Sequence, residues 1–152
     1  MREILFRGKQ VGDGEWIEGY VFPQVIDGGY APLCITTEPI CANDYSEILG
    51  DWAIVDSSTV GQYTGLTDKN GKKIFEGDIL QGFWYCEGVR AKVVWIDDAA
   101  TFGILYSFRK SGEETAWLNS SWYKFTSESP CFPEIIGNIY DNPELLGGEF
   151  DG

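Results

Sequence analysis

The segment GVRAKVVWIDD, residues 88–98, constrains this chain more than any other. In an extended strand, successive side chains point to opposite faces, so Val89, Ala91, Val93 and Trp95 share one face and Arg90 and Lys92 the other. After a DDAA connection, TFGILYSFRK alternates Phe102, Ile104, Tyr106 and Phe108 with Gly103, Leu105, Ser107 and Arg109. Two consecutive runs with a period of two predict a β-hairpin. Helical periodicity is nearly absent elsewhere, which predicts a mainly β protein built from antiparallel strands.

Other segments extend this reading. EILF (3–6) and EWIEGYVF (15–22) flank the turn-rich GKQVGDG and predict a first hairpin. YAPLCITT (30–37) holds a candidate strand, and DWAIVD (51–56) returns to strand character. ANDYSEILG (42–50) is the interior place for a short helix, capped by Asn43 or Asp44. SGEETAWL and SWYKFT read as a further strand pair and EIIGNIY (134–140) as a last strand. In DNPELL, Pro143 after Asn142 suits the first turn of a brief terminal helix.

A chain of 152 residues with 43% hydrophobic and 15% aromatic residues has the size and apolar content of a single domain with its own core. We expect one domain over 1–152, with the Pro- and Gly-punctuated stretch 23–50 a candidate for a separate lobe or arm. No run approaches the ~20 apolar residues that cross a bilayer, so the expectation is a soluble protein in the cytoplasm of its cell. Cys34, Cys41, Cys86 and Cys131 form no CxxC pair and read as reduced core thiols.

The chain has no histidine. That removes the usual general base near neutral pH, the usual transition-metal ligand and the Ser-His and Cys-His schemes of nucleophile activation. No cofactor is expected, and any catalysis would run on carboxylates, tyrosines, lysines or Mg²⁺. Net charge is −13 and unevenly spread. Between Lys9 and Lys69 acids recur from Asp13 to Asp68 without one basic residue, and after Lys124 every charge is again acidic. Such a field opposes direct binding to phosphate backbones and favours a basic partner.

The stretch VGQYTGLTDKNGKKIFEGDIL, 60–80, carries two Gly-centred breaks. Asn70-Gly71 tolerates positive φ and predicts a two-residue turn of the primed hairpin type. Glu76-Gly77-Asp78 predicts a sharp bend before the strand of Ile79 and Leu80. As a phosphate-cradling loop the stretch fails, because GLTDKNGKK lacks the Gly-x-x-x-x-Gly-Lys-Ser/Thr spacing and a following helix. Its reading is structural.

This run, together with MREILFRGK at the start, EWIEGYVF after it and EIIGNIYDNPELL at the end, resembles the YopX family of phage and prophage proteins in order and spacing along the whole chain. The resemblance implies a mainly β pseudobarrel, a small-barrel type of antiparallel β fold with few short helices, and a home in phage or prophage genomes. It carries no activity and no catalytic or binding residue across to this chain. Beside the family pattern, 23–50 and 83–86 look particular to this sequence and are candidates for setting partner preference.

Phe83, Trp84 and Tyr85 put large rings on both faces of a strand, and Trp122-Tyr123-Lys124-Phe125 repeats the problem. Burial within the monomer is the plainer reading. The functional one makes Trp84, Tyr85, Trp122 and Tyr123 interface residues, since Trp and Tyr are enriched in interface cores. Asp97-Asp98 and Glu113-Glu114 read as solvated turns rather than Mg²⁺ ligands, and Lys69, Lys72 and Lys73 as a soluble turn rather than a nucleic-acid patch.

The leading expectation is a non-enzymatic phage accessory protein that binds a host or phage protein, a basic one in the sharper version, with homo-oligomerisation a further expectation. The alternatives are a carboxylate- and Mg²⁺-dependent enzyme acting on nucleotides or nucleic acid, and a direct nucleic-acid binder using a small-barrel surface.

Overall fold

The computed structural model describes residues 3–23, 32–38, 51–83, 86–107, 114–118 and 133–146. The chain forms two compact units, Met1–Tyr63 and Thr64–Gly152. Both are antiparallel β, as the alternation predicts. The candidate helix 42–50, the segment SWYKFT and the ring pair 84–85 lie outside the described residues.

In the first unit, β1 (Phe6–Lys9) and β2 (Trp16–Pro23) form the expected hairpin, with Arg7 opposite Glu18 and Lys9 opposite Trp16. The strand starts and ends later than EILF suggests. Gly8 looks like a turn residue in sequence, yet it sits within β1 because a Cβ there would lie 3.0 Å from Val55 Cβ and 3.1 Å from Val60 Cγ2. The loop closes instead at Gly14, at φ +73°, whose N–H donates to the Gln10 carbonyl at 3.0 Å.

β3 (Leu33–Thr36) pairs with β2, β4 (Trp52–Ile54) pairs with β3, and β5 (Gly61–Thr67) begins beside β1, giving the order β4-β3-β2-β1-β5. Beyond β4 the chain turns back on β1. Gln10 and Val55 form a bridge, Val11 N donates to Ile54 O at 2.9 Å, and Asp56 N donates to Lys9 O at 2.8 Å. These few bonds, rather than a continuous ladder, tie β4 to β1, so the strands curl without closing into a barrel. Inside lie buried Ile17, Ile35 and Val55, with Phe6, Val21, Leu33, Ala53 and Val60 packed around them. Each fully buried aliphatic side chain contributes about 1.5–3 kcal/mol.

β5 continues into the second unit and pairs there with β6 (Lys73–Phe75), where the Thr64 hydroxyl donates to Ile74 O at 2.8 Å. A five-stranded sheet follows in the order β10-β9-β8-β7-β11, from β7 (Asp78–Phe83), β8 (Cys86–Ile96), β9 (Thr101–Ser107), β10 (Glu114–Leu118) and β11 (Glu134–Asn138). The hairpin read first in the sequence is β8–β9, with Val93 opposite Ile104 and Trp95 opposite Phe102. Ala91, Val93, Ile104, Ile74 and Leu80 form the core. Trp95 leaves it at the strand end and meets Phe102 edge-on at 4.9 Å. Among the described residues helix is confined to three single 3-10 turns, Ser57–Thr59, Asp97–Ala99 and Pro143–Leu145, the last with proline in its first turn as expected.

The turn at Asn70-Gly71 differs from the expected primed type. That type needs positive φ at both central residues. Among the described residues Ala100 is the one non-glycine with positive φ, so Asn70 lacks it, while Gly71 has φ +79°. Gly71 N donates to Asp68 O at 3.0 Å and Asp68 N to Lys72 O at 2.8 Å, which makes a three-residue loop ending in a left-handed glycine. The cause is Asp68, whose Oδ1 accepts from the amides of Asn70 and Lys72, both at 2.9 Å.

Candidate functional site

The 60–80 stretch is built as scaffold. Asp68 is buried, and besides its two turn amides its Oδ2 accepts from Ile135 N at 3.1 Å, fastening the turn to the start of β11. Lys69 N donates to Pro133 O at 3.2 Å, and its ammonium pairs with Glu134 at 3.2 Å. Eight residues on, Gly77 takes φ +93°, donates to Val93 O and accepts from Ile139 N, both at 2.9 Å. Asp78, fully buried, accepts from Phe75 N at 2.7 Å. Both breaks therefore serve to seat the last strand. The three lysines do not form a common anion site, since Lys69 is directed to Glu134.

Asp97 and Asp98 occupy the exposed 3-10 turn between β8 and β9, as the turn reading expects. Among the described residues, no three His, Cys, Asp or Glu side chains converge as a metal site. Cys34 is buried, its Sγ 3.7 Å from the Pro32 carbonyl oxygen. Trp84, Tyr85, Trp122 and Tyr123 lie outside the described residues, as does Glu113.

The first unit presents a different surface. Its described acids Glu3, Asp13, Glu15, Glu18, Glu38, Asp51 and Asp56 are all exposed. Its described cations, Arg7 and Lys9, lie over the Trp16 ring, at 4.8 and 5.7 Å from its centroid. Exposed large apolar side chains concentrate here too. Val11 is 65% exposed, Ile4 56%, Trp52 44% and Ile54 38%, against Trp95 alone among the described residues of the second unit.

Trp52 and Ile54 are two apart on β4, so they share the face opposite Ala53 and Val55. Phe22 meets the Trp52 ring edge-on at 6.1 Å, which holds it in place. Sequence reading missed this patch. The signal was present, because DWAIVD carries apolar side chains on both faces, the same oddity noticed at Phe83-Trp84-Tyr85.

Asp56 and Tyr63 depart from their ordinary values. The Ser58 hydroxyl and then the Ser58 amide hydrogen-bond the Asp56 carboxylate and hold its pKa below 3.8. Burial, helped by the charge of Glu3, pushes the Tyr63 phenol above 10.

The family model described as YopX protein matches residues 6–147, nearly the whole chain. This chain belongs to the YopX family. In three dimensions this YopX chain is similar to the crystal structure of protein EF1440 from Enterococcus faecalis, with a TM-score of 0.54 and 25% sequence identity, over 96% of this chain and 99% of that one. No curated protein sequence matches it. Among the described residues no helix is long and apolar enough to cross a membrane.

Proposed function

We propose that this YopX protein works by binding another protein, as an accessory factor of a phage or prophage acting in the cytoplasm of its bacterial host. The observation that carries this reading is the surface of the first unit, where exposed Trp52, Ile54 and Val11 each lie within two residues of an exposed carboxylate along the chain. A field of one sign raises the encounter rate with a partner of the other sign, and desolvated aromatic anchors then supply the affinity. The buried carboxylates of the second unit support no catalytic role, since Asp68 and Asp78 are engaged by backbone amides.

The test is affinity purification of tagged protein from nuclease-treated host lysate at low and high salt, against an equally acidic control. Enrichment of one protein over that control is the expected result. Recovery of the bait alone under both conditions would remove the reading.

A further inference from the structure

We propose that Val11, Trp52 and Ile54 form one docking patch for a basic segment of another protein, in which lysines or arginines alternate with apolar side chains. The inference rests on the protein-binding reading and gives it a place and a partner chemistry. Contiguity comes from the backbone: Val11 N donates to Ile54 O at 2.9 Å, and Gln10 bridges Val55, so the β1–β2 loop lies against the end of β4. Trp52 and Ile54 project from the same face of that strand.

β4 is also the edge of its sheet among the described residues. Thr37 N donates to Asp51 O and Val55 N to Leu33 O, so residues 51, 53 and 55 bond toward β3. The N–H and C=O of Trp52 therefore point away from the sheet. With Ile54 O already taken by Val11 N, the open part of this edge is at Trp52, where an extended segment would pair and set its side chains beside Trp52 and Ile54.

Charge selects the occupant. Asp13 follows Val11 by two residues, Asp51 precedes Trp52 and Asp56 follows Ile54 by two, and all three are exposed. The unit's described cations, Arg7 and Lys9, lie over the Trp16 ring. A second copy of a chain with net charge −13 would bring the same acids against themselves, which disfavours self-association at this face. An apolar partner without cations would leave them facing a dry interface. A basic, partly apolar segment meets both requirements.

The probe is a fluorescein-labelled peptide of alternating lysine and leucine, compared by anisotropy with a lysine–serine peptide of equal charge. The expected result is binding of the first and weaker binding of the second, screened by salt. The Trp52→Ala/Ile54→Ser variant should lose about tenfold or more in affinity, while Trp95→Ala keeps it. Because Trp52 and Ile54 are exposed, the variant is expected to fold, which circular dichroism and Tm verify. Equal binding of the two peptides, or unchanged affinity in the Trp52/Ile54 variant, would overturn the patch. A concentration-dependent dimer in sedimentation that the same variant disperses would also overturn it, in favour of a second copy. If that variant still captures the host protein found with the parent, the patch is wrong and the protein-binding reading stands. If the parent captures none, the broader reading fails by itself.

Discussion

The two buried carboxylates of the second unit do different work from the exposed ones of the first. In the second, Asp68 and Asp78 are buried, and both oxygens of Asp68 and Oδ2 of Asp78 accept from backbone amides inside the fold. In the first, the described acids are exposed and their field reaches solvent. What decides between these roles is neighbouring chain geometry. Asp68 stands three residues before the left-handed Gly71, and Asp78 follows Gly77, so each sits where a turn leaves amide hydrogens without partners. Asp13 also accepts from a backbone amide, that of Glu15 at 2.9 Å, but from an exposed loop, so its charge still faces solvent.

The contrast between the units is largest at Asp68. Asp68→Ala removes the acceptor of three amides, from Asn70, Lys72 and Ile135, and should destabilise the protein by about 3 kcal/mol, a drop in Tm of roughly 6–12 °C. Asp68→Asn keeps one acceptor oxygen but turns an amide group toward one of those N–H groups, so its Tm should fall between. A Tm within 2 °C of the parent for Asp68→Ala, where ~2 °C is the least expected for 1 kcal/mol, would show that the turn holds without its carboxylate. Asp78→Ala comes next. It leaves the buried Phe75 amide without its 2.7 Å acceptor and should cost about 2 kcal/mol, read from the urea midpoint at unchanged m-value.

Much of this scaffold was legible because it is local. Period-two alternation places β8, β9 and the first hairpin, and glycine between two acids places the bend before β7. The errors arise where distant residues decide. Gly8 reads as a turn until Val55 and Val60 are seen to need its space. Asn70-Gly71 reads as a primed turn until Asp68 is seen to supply the acceptors that shape a three-residue loop. The exposed patch was hidden for the same reason. That β4 lies at a sheet edge depends on pairing between segments far apart in sequence, and nothing in DWAIVD itself states which of its two apolar faces stays open.

Asp56 lies between the two classes and sharpens the contrast. It is exposed like its neighbours, yet Ser58 Oγ and Ser58 N donate to its Oδ1 at 2.7 and 3.0 Å, capping the 3-10 turn that follows. Its folded-state pKa is lowered, so the stability it contributes is present above the ordinary value of 3.8 and is lost as pH falls through the folded value. Asp56→Ala should therefore melt below the parent at pH 7, with a narrower gap at an acidic pH below 3.8. A gap of equal size at both pH values would assign the loss to something other than the charge.

The smallest stability effect is expected for the exposed acids beside the apolar patch, and there the comparison has its most direct bearing on function. Asp13→Asn with Asp51→Asn removes two negative charges while preserving an acceptor for Glu15 N, which Asp13 Oδ1 holds at 2.9 Å. Stability should stay within about 0.5 kcal/mol of the parent, as for most surface substitutions. Affinity for the lysine–leucine peptide should fall at low salt and converge on the parent's at high salt, because the lost contribution is screened Coulomb attraction. A melting temperature that drops as far as in the Asp68 variants would place these acids in the scaffold class. Unchanged peptide affinity at low salt would detach the acidic ring from binding and leave the apolar side chains to carry it alone.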